Sequence, residues 1–324
     1  MKNKNILVTG GSGFIGSHLV KRLVELGSKV TVVVKYKSII DCVRLANVWD
    51  NIDVLEADLR NLDSIIYLKS IKHKYDIIFH LAAYNHVGDS FAHVQEALMS
   101  NLLGTANLLE HGPQNNKFIY TATSEIYGYQ EEVPFNEDYL PFPISPYAIG
   151  KYAGELYAKL KIHQKNSDIV CVRPFNTFGP YQSERAIIPE IIVKCLKGKT
   201  IKTTEGLQTR EFNYVGNIID GFIAAASIRN TPDQSINIGS NKEISIKKLV
   251  EEIHTLTKSE SKLLIGALPN RPTEIWRMSA DNKRAKDLLN WEPKISFEKG
   301  ILKTIDWYKK FIQLYHSDSG LRGL

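Results

Sequence analysis

The sequence predicts an α/β protein: a doubly wound parallel sheet with a smaller C-terminal α/β part for substrate. Three observations predict this. Short apolar strand patterns alternate with helix-length segments over the first two-thirds of the chain, and such strands need helices on both faces of the sheet. A glycine-rich turn joins the first strand to the first helix. After Pro174 the alternation loosens into turn signals, aromatic residues and short helices.

The elements follow in order. Asn5 to Thr9 is a short buried strand. Ile15, Leu19, Leu23 and Leu26 then form one apolar helix face, with Gly27 as the stop. Val30 to Val34, Ile52 to Leu55, Asp76 to His80, Lys117 to Tyr120 and Ile169 to Val172 are the next strands. Helix-length segments between them include Gln95 to Leu109 and Ser145 to Leu160. Ser235 to Ile238 is a late strand expected to return to the sheet. The expected division is 1–173, rejoined near 234–239, and 174–324. Ser317 to Leu324 reads as a frayed tail.

The 324 residues are 43% hydrophobic, enough for a full core. The net charge of +6 is spread without a run of five or six basic residues, so no nucleic-acid partner is expected. Cys42, Cys171 and Cys195 are odd in number and far apart. They read as reduced thiols, and no metal site is expected. Met1 to Lys4 run straight into a strand, and no apolar run nears the ~20 residues that span a bilayer. The expectation is a soluble cytoplasmic protein.

Gly10, Gly13 and Gly16 space the turn as G-x-x-G-x-x-G, with Phe14 and Ile15 inside it. The chain must turn sharply there, and its backbone must approach a pyrophosphate at a helix N-terminus. The plain alternative is a tight turn alone. The strand before and the helix after favour a Rossmann dinucleotide site. An acid at the end of the second strand would hold the ribose hydroxyls. Here the strand runs into Lys35, Tyr36 and Lys37. Lys35 or Lys37 would pair with a 2′-phosphate, so NADP is expected over NAD; otherwise both are solvated. Asp58, followed by Leu59, is placed to bond the adenine amino group. Leu81, Ala82 and Ala83 are small enough to wall the cofactor channel.

Ser145 and Pro146 read as a helix start. Tyr147 and Lys151 then share one face. A phenol titrates near 10, too high for a base near neutrality. A neighbouring ammonium and a nicotinamide cation would favour the phenolate. Thr123, Ser124 and Glu125 follow the fifth strand, on the side where doubly wound sheets bind ligands. Thr123 would share the substrate proton with Tyr147. Hydride transfer alone does not need Glu125, whereas removing a proton from carbon beside a ketone does. The alternative for Glu125 is a loop carboxylate with a structural hydrogen bond.

The glycine loop, Thr123-Ser124-Glu125, Tyr147-x-x-x-Lys151 and Arg173 to Pro180 resemble the extended short-chain dehydrogenases that act on nucleotide sugars. The likeness continues through Arg210 to Val215, Ile238 to Ser240 and Leu289 to Pro293. Thr123-Ser124-Glu125 resembles the active-site segment of GDP-mannose 4,6-dehydratases and also occurs in UDP-glucuronate decarboxylases. His86 to Phe91 resembles a 4,6-dehydratase segment. Arg173 to Pro189 and Asn237 to Ile246 look like N-acetylglucosamine nucleotide 4,6-dehydratases.

The resemblance implies a 4,6-dehydratase: oxidation at sugar C4, loss of water across C5 and C6, and hydride return to C6. The cofactor would then be tightly retained. Ser124 stands where dTDP-glucose dehydratases carry Asp. His86, Asn176 and Arg185 are expected at the sugar nucleotide, and Arg210 and Arg271 at its pyrophosphate, where a guanidinium forks onto phosphate. For each of those two arginines the alternative is a surface ion pair. Gln95 to Leu109 and the Tyr147 helix resemble a dimer interface, so a homodimer is expected. The competing readings are a 4-epimerase, a UDP-glucuronate decarboxylase and a non-catalytic dinucleotide sensor. The last usually loses Tyr147 or Lys151.

Overall fold

The computed structural model describes residues 1–35, 38–165, 167–228, 235–270 and 274–317. Six strands alternate with helices first: β1 (Asn5–Thr9), β2 (Lys29–Val34), β3 (Ile52–Glu56), β4 (Lys74–His80), β5 (Gln114–Thr121) and β6 (Ile169–Pro174). Seven short ones follow: β7 (Thr177–Phe178), β8 (Ile201–Lys202), β9 (Thr209–Glu211), β10 (Asn213–Tyr214), β11 (Ile236–Ile238), β12 (Glu243–Ser245) and β13 (Leu263–Leu264). The helices are α1 (Phe14–Glu25), α2 (Leu62–Ile71), α3 (Val94–Leu98), α4 (Gly104–His111), α5 (Pro146–Lys165), α6 (Ile187–Leu196), α7 (Val215–Ala225), α8 (Ile246–Thr257), α9 (Lys283–Leu289) and α10 (Phe297–Ser317).

The central sheet runs β3-β2-β1-β4-β5-β6-β11, with every pairing parallel. The chain starts in the middle, works to one edge, then crosses β1 and works to the other. Loops after β1 and β4 therefore diverge and leave a crevice between them. Runs of Val and Ile suit strands buried on both faces. One face packs Leu19, Val20 and Leu23 of α1 and Ile218 and Phe222 of α7. The other packs Ile65 and Leu68 of α2, Leu108 of α4 and Ala158 of α5. A third apolar cluster joins α6, α8 and α10 through Ile188, Ile192, Leu249, Ile253, Ile301 and Ile305.

Several local signals hold. Gly27 takes φ +76° just past α1. The Ser145 hydroxyl accepts from the Ala148 N–H at 3.1 Å and caps α5. The strand at 236–238 joins β6 at the sheet edge.

Two features differ from the expectation. The segment from Gln95 to Leu109 is not one regular helix, because a π-turn, Met99–Leu103, separates α3 from α4. The cause is Asn101, whose buried amide accepts from the Tyr84 N–H at 2.8 Å and donates to its carbonyl at 3.1 Å. Beyond Pro174, six short strands appear besides the late one. Runs of two or three residues carry no readable alternation. Among the described residues no helix is long and apolar enough to cross a membrane. No cluster of His, Cys, Asp or Glu among them could hold a metal ion.

Candidate active site

The end of β1 turns at Gly10, with φ +69°. A Cβ there would lie 2.7 Å from the Ala82 N, and one at Gly16 would lie 2.2 Å from the Gly10 carbonyl oxygen. The turn therefore closes onto the end of β4 only without side chains. Gly13 precedes α1 and caps it with no side-chain bond, so first-turn N–H groups face outward.

Two adjoining cavities, about 260 and 380 Å³, share Gly10, Gly13, Leu81 and Ala83. Lys35, Asp58, Leu59 and Ala82 line the smaller. The larger takes in Phe14, Ile15, Gly16, His86, Thr123, Ser124, Glu125, Tyr147, Lys151, Asn176 and Arg185. The residues present fit a dinucleotide, whose pyrophosphate the glycine turn would hold. Lys37 and Arg271 lie outside the described residues.

At the end with Lys35, the charged side chains pair with one another. Arg60 donates to both Asp58 oxygens, with Nε–Oδ1 at 2.9 Å and Nη2–Oδ2 at 2.6 Å. This guanidinium holds the Asp58 carboxyl below its ordinary range. Lys35 Nζ lies 3.3 Å from Glu96 Oε1, so it is not a solitary cation waiting for phosphate. Sequence reading missed Arg60 and Glu96. Arg60 adjoins Asp58 and could have been paired with it; no sequence signal brings Glu96 to Lys35.

At the other end, Thr123 caps the 3-10 turn Ser124–Tyr127 by accepting from the Glu125 N–H at 3.2 Å. Its hydroxyl also acts on the Tyr147 phenol, lowering its pKa. The Tyr147 N–H donates to the Ser90 hydroxyl at 3.2 Å, tying α5 to the loop after β4. Burial pushes the Tyr147 phenol up to about 12, the Glu125 carboxylate adds to this, and the Thr123 hydroxyl opposes it.

Lys151, one helical turn from Tyr147, is buried at the same cavity. Its ammonium lies 4.7 Å from the centre of the Tyr120 ring, and burial lowers its pKa to about 7. Burial also raises Glu125, against the pull of Arg210.

Arg210 does not line the cavities. It acts on Glu125 through its charge, and its Nη2 lies 2.8 Å from Glu274 Oε1. Arg185 reaches across the mouth of the larger cavity, from the loop before α6 to Asp89, at 2.6 Å. His86 Nδ1 accepts from the Asp89 N–H at 3.1 Å and so belongs to the same cluster. Asn176 lines the cavity, and its carbonyl accepts from the Asn213 N–H at 2.8 Å.

The chain is similar to known proteins along nearly its whole length. Residues 7–304 match the family model described as GDP-mannose 4,6 dehydratase. The chain is 31% identical to the dTDP-D-glucose 4,6-dehydratase of Homo sapiens, over 95% of this chain and 90% of that one. It is 32% identical to the UDP-N-acetyl-alpha-D-glucosaminuronate decarboxylase of Bacillus cytotoxicus, over 95% and 98%. The UDP-glucuronic acid 4-epimerase of Bacillus cereus, solved with UDP-glucuronic acid and NAD, superposes with a TM-score of 0.87 at 28% identity, over 95% and 99%. The chain belongs to the GDP-mannose 4,6-dehydratase-like family of nucleotide-sugar enzymes, extended short-chain dehydrogenases that include dehydratases, decarboxylases and epimerases.

Proposed function

We propose that this chain is a nucleotide-sugar 4,6-dehydratase that makes a 4-keto-6-deoxy sugar nucleotide. The observation that carries the reading is Glu125: a carboxyl raised by burial, in one cavity with Thr123, Ser124 and Tyr147. A carboxylate whose pKa lies nearer neutrality is a better base toward carbon. A retained nicotinamide dinucleotide, which Gly10, Gly13 and Gly16 would hold, would supply the hydride acceptor for sugar C4 and the hydride donor for C6.

The residues divide the rest. Tyr147, in one cavity with Thr123, takes the proton from the 4-hydroxyl. To accept it Tyr147 must first be a phenolate, which the Lys151 ammonium, one helical turn away, stabilises. Once C4 is a ketone, the C5 hydrogen is acidic and Glu125 removes it. Glu125, now protonated, or the Ser124 hydroxyl then delivers a proton to the leaving C6 hydroxyl. Asn176, Arg185 and His86, which line the larger cavity, orient the nucleotide sugar, while Arg210 acts only through Glu125. The enzyme works as a homodimer.

Because epimerases and decarboxylases are equally similar, the test must separate reactions. The purified protein is incubated, without added cofactor, with UDP-, GDP-, CDP- and dTDP-sugars and followed by mass spectrometry. Loss of one water from one sugar, with no net reduced cofactor, is expected. An unchanged mass with inversion at C4 by NMR, or loss of carbon dioxide from a uronate, would overturn the reading. Glu125→Gln is expected to lower water loss by at least ~100-fold while leaving cofactor binding unchanged. Intact dehydration in that variant removes Glu125 from the mechanism.

A further inference from the structure

We infer that Glu96, carried by α3, selects NAD over NADP. The inference rests on the dinucleotide reading of the cavities.

The end of β2 lies beside the glycine turn, where the Gly10 N–H donates to the Val33 carbonyl at 3.2 Å. An acid placed there would bond the ribose hydroxyls and repel a 2′-phosphate. This chain has Lys35 instead. The acid arrives from elsewhere in the sequence. Glu96 lies in the first turn of α3 and lines the same cavity as Lys35 and Arg60. Its Oε1 is 3.3 Å from Lys35 Nζ and 3.6 Å from Arg60 Nη1.

The charge balance points the same way. Among the described residues lining this cavity, two cations, Lys35 and Arg60, face two carboxylates, Asp58 and Glu96. Arg60 is already engaged by both Asp58 oxygens. A 2′-phosphate drawn to Lys35 would carry its own negative charge against Glu96. A ribose diol meets no such repulsion, since a carboxylate accepts from its hydroxyls and an ammonium donates to them. Glu96 and Lys35 are 41% and 52% exposed, so both ends can turn toward a ligand. The lysine that suggested NADP in the sequence thus positions the acid that favours NAD.

The first measurement is the identity of the dinucleotide released by acid from the purified protein, read by mass spectrometry. NAD is expected; NADP alone would overturn the inference. The second is calorimetric titration of cofactor-stripped protein with NAD⁺ and NADP⁺ at fixed ionic strength, for the wild type and Glu96→Gln. The wild type is expected to prefer NAD⁺ by about tenfold or more, and the variant to lose about tenfold of that preference, chiefly by tighter NADP⁺ binding. The substitution is isosteric and solvent-facing, so folding should be unchanged. An unchanged preference in Glu96→Gln sinks the role of Glu96 while leaving the dinucleotide site standing. Binding of neither dinucleotide sinks the dinucleotide reading and the inference with it.

Discussion

Lys151 carries a cost that its position explains. The ammonium is buried over the Tyr120 ring, and burial brings its pKa from 10.5 to about 7. The unfolded chain keeps this proton up to about pH 10, whereas the folded chain gives it up near pH 7. Below pH 7 the folding penalty is therefore full, and it is relieved as pH rises from 7 toward 10. Lys151→Met, which keeps the stem, is expected to abolish turnover yet stabilise the fold by roughly 1–3 kcal/mol near pH 6. Denaturant midpoints at pH 6 and pH 9.5 check this, because the gain must shrink at the higher pH. An equal gain at both would place its origin in packing rather than charge. Tyr147 and Lys151 were legible because a cap and an i, i+4 spacing are local. Tyr120 was not, because only the pairing of β5 under α5 puts its ring beneath the ammonium.

At the scale of elements, His80 holds three of them in place. It is fully buried at the end of β4, with Nδ1 2.7 Å from the Thr9 hydroxyl of β1 and Nε2 3.0 Å from the Thr105 hydroxyl of α4. Thr105 donates to the Asn101 carbonyl at 2.7 Å, so it accepts from Nε2–H. Thr9 accepts from the Ala82 N–H at 3.2 Å and then donates to Nδ1. The chain of bonds is complete only with neutral His80, and burial, with Lys151 adding, lowers its pKa to about 3. The unfolded chain binds this proton from pH 6.5 downward and the folded one only near pH 3. Stability from His80 is therefore intact above 6.5 and lost progressively as pH falls toward 3. The wild type is expected to lose about 2 kcal/mol between pH 7 and pH 4.5 from this residue. His80→Gln is expected to be less stable at pH 7 and to lose correspondingly less on acidification. Parallel urea melts at both pH values check it; identical acid losses in the two proteins would refute the histidine's part. The strands this network joins were readable from apolar runs. The π-turn that presents Asn101 was not, since it arises from one amide clasping a loop 17 residues away.

Across the whole molecule, α5 joins the site to the sheet and to the surface. On its inner face Glu155 forms a buried pair with Arg173 of β6, at 3.0 and 2.5 Å. Arg173 also donates to the Tyr127 hydroxyl, which donates to Asn237 of β11. Burial alone would raise the Glu155 carboxyl, but Arg173, Lys159 and Ser235 carry it below its usual range. Arg173 was visible as part of a family-like segment; its partner was not, because nothing local links positions 155 and 173.

The opposite face of α5 leaves Ile149, Leu156 and Leu160 at 47, 48 and 44% exposure, with Leu103 and Val94 exposed on the adjoining π-turn and α3. These positions on α5 fall on one helical stripe. A contiguous apolar stripe on a soluble surface marks a contact surface, and a second copy of α5 is the partner the sequence resemblance implied. Such a pairing would be consequential because α5 also carries Tyr147 and Lys151. Loss of the partner would loosen the helix on which the proton relay depends. Leu156→Glu with Leu160→Glu is expected to convert a dimer of the 36.6 kDa chain to monomers, by light scattering after size exclusion. It should lower turnover several-fold while cofactor remains bound. A wild type that elutes as a monomer at micromolar concentration would refute the dimer. A monomeric double variant with undiminished turnover would instead show that α5 keeps its place without a partner.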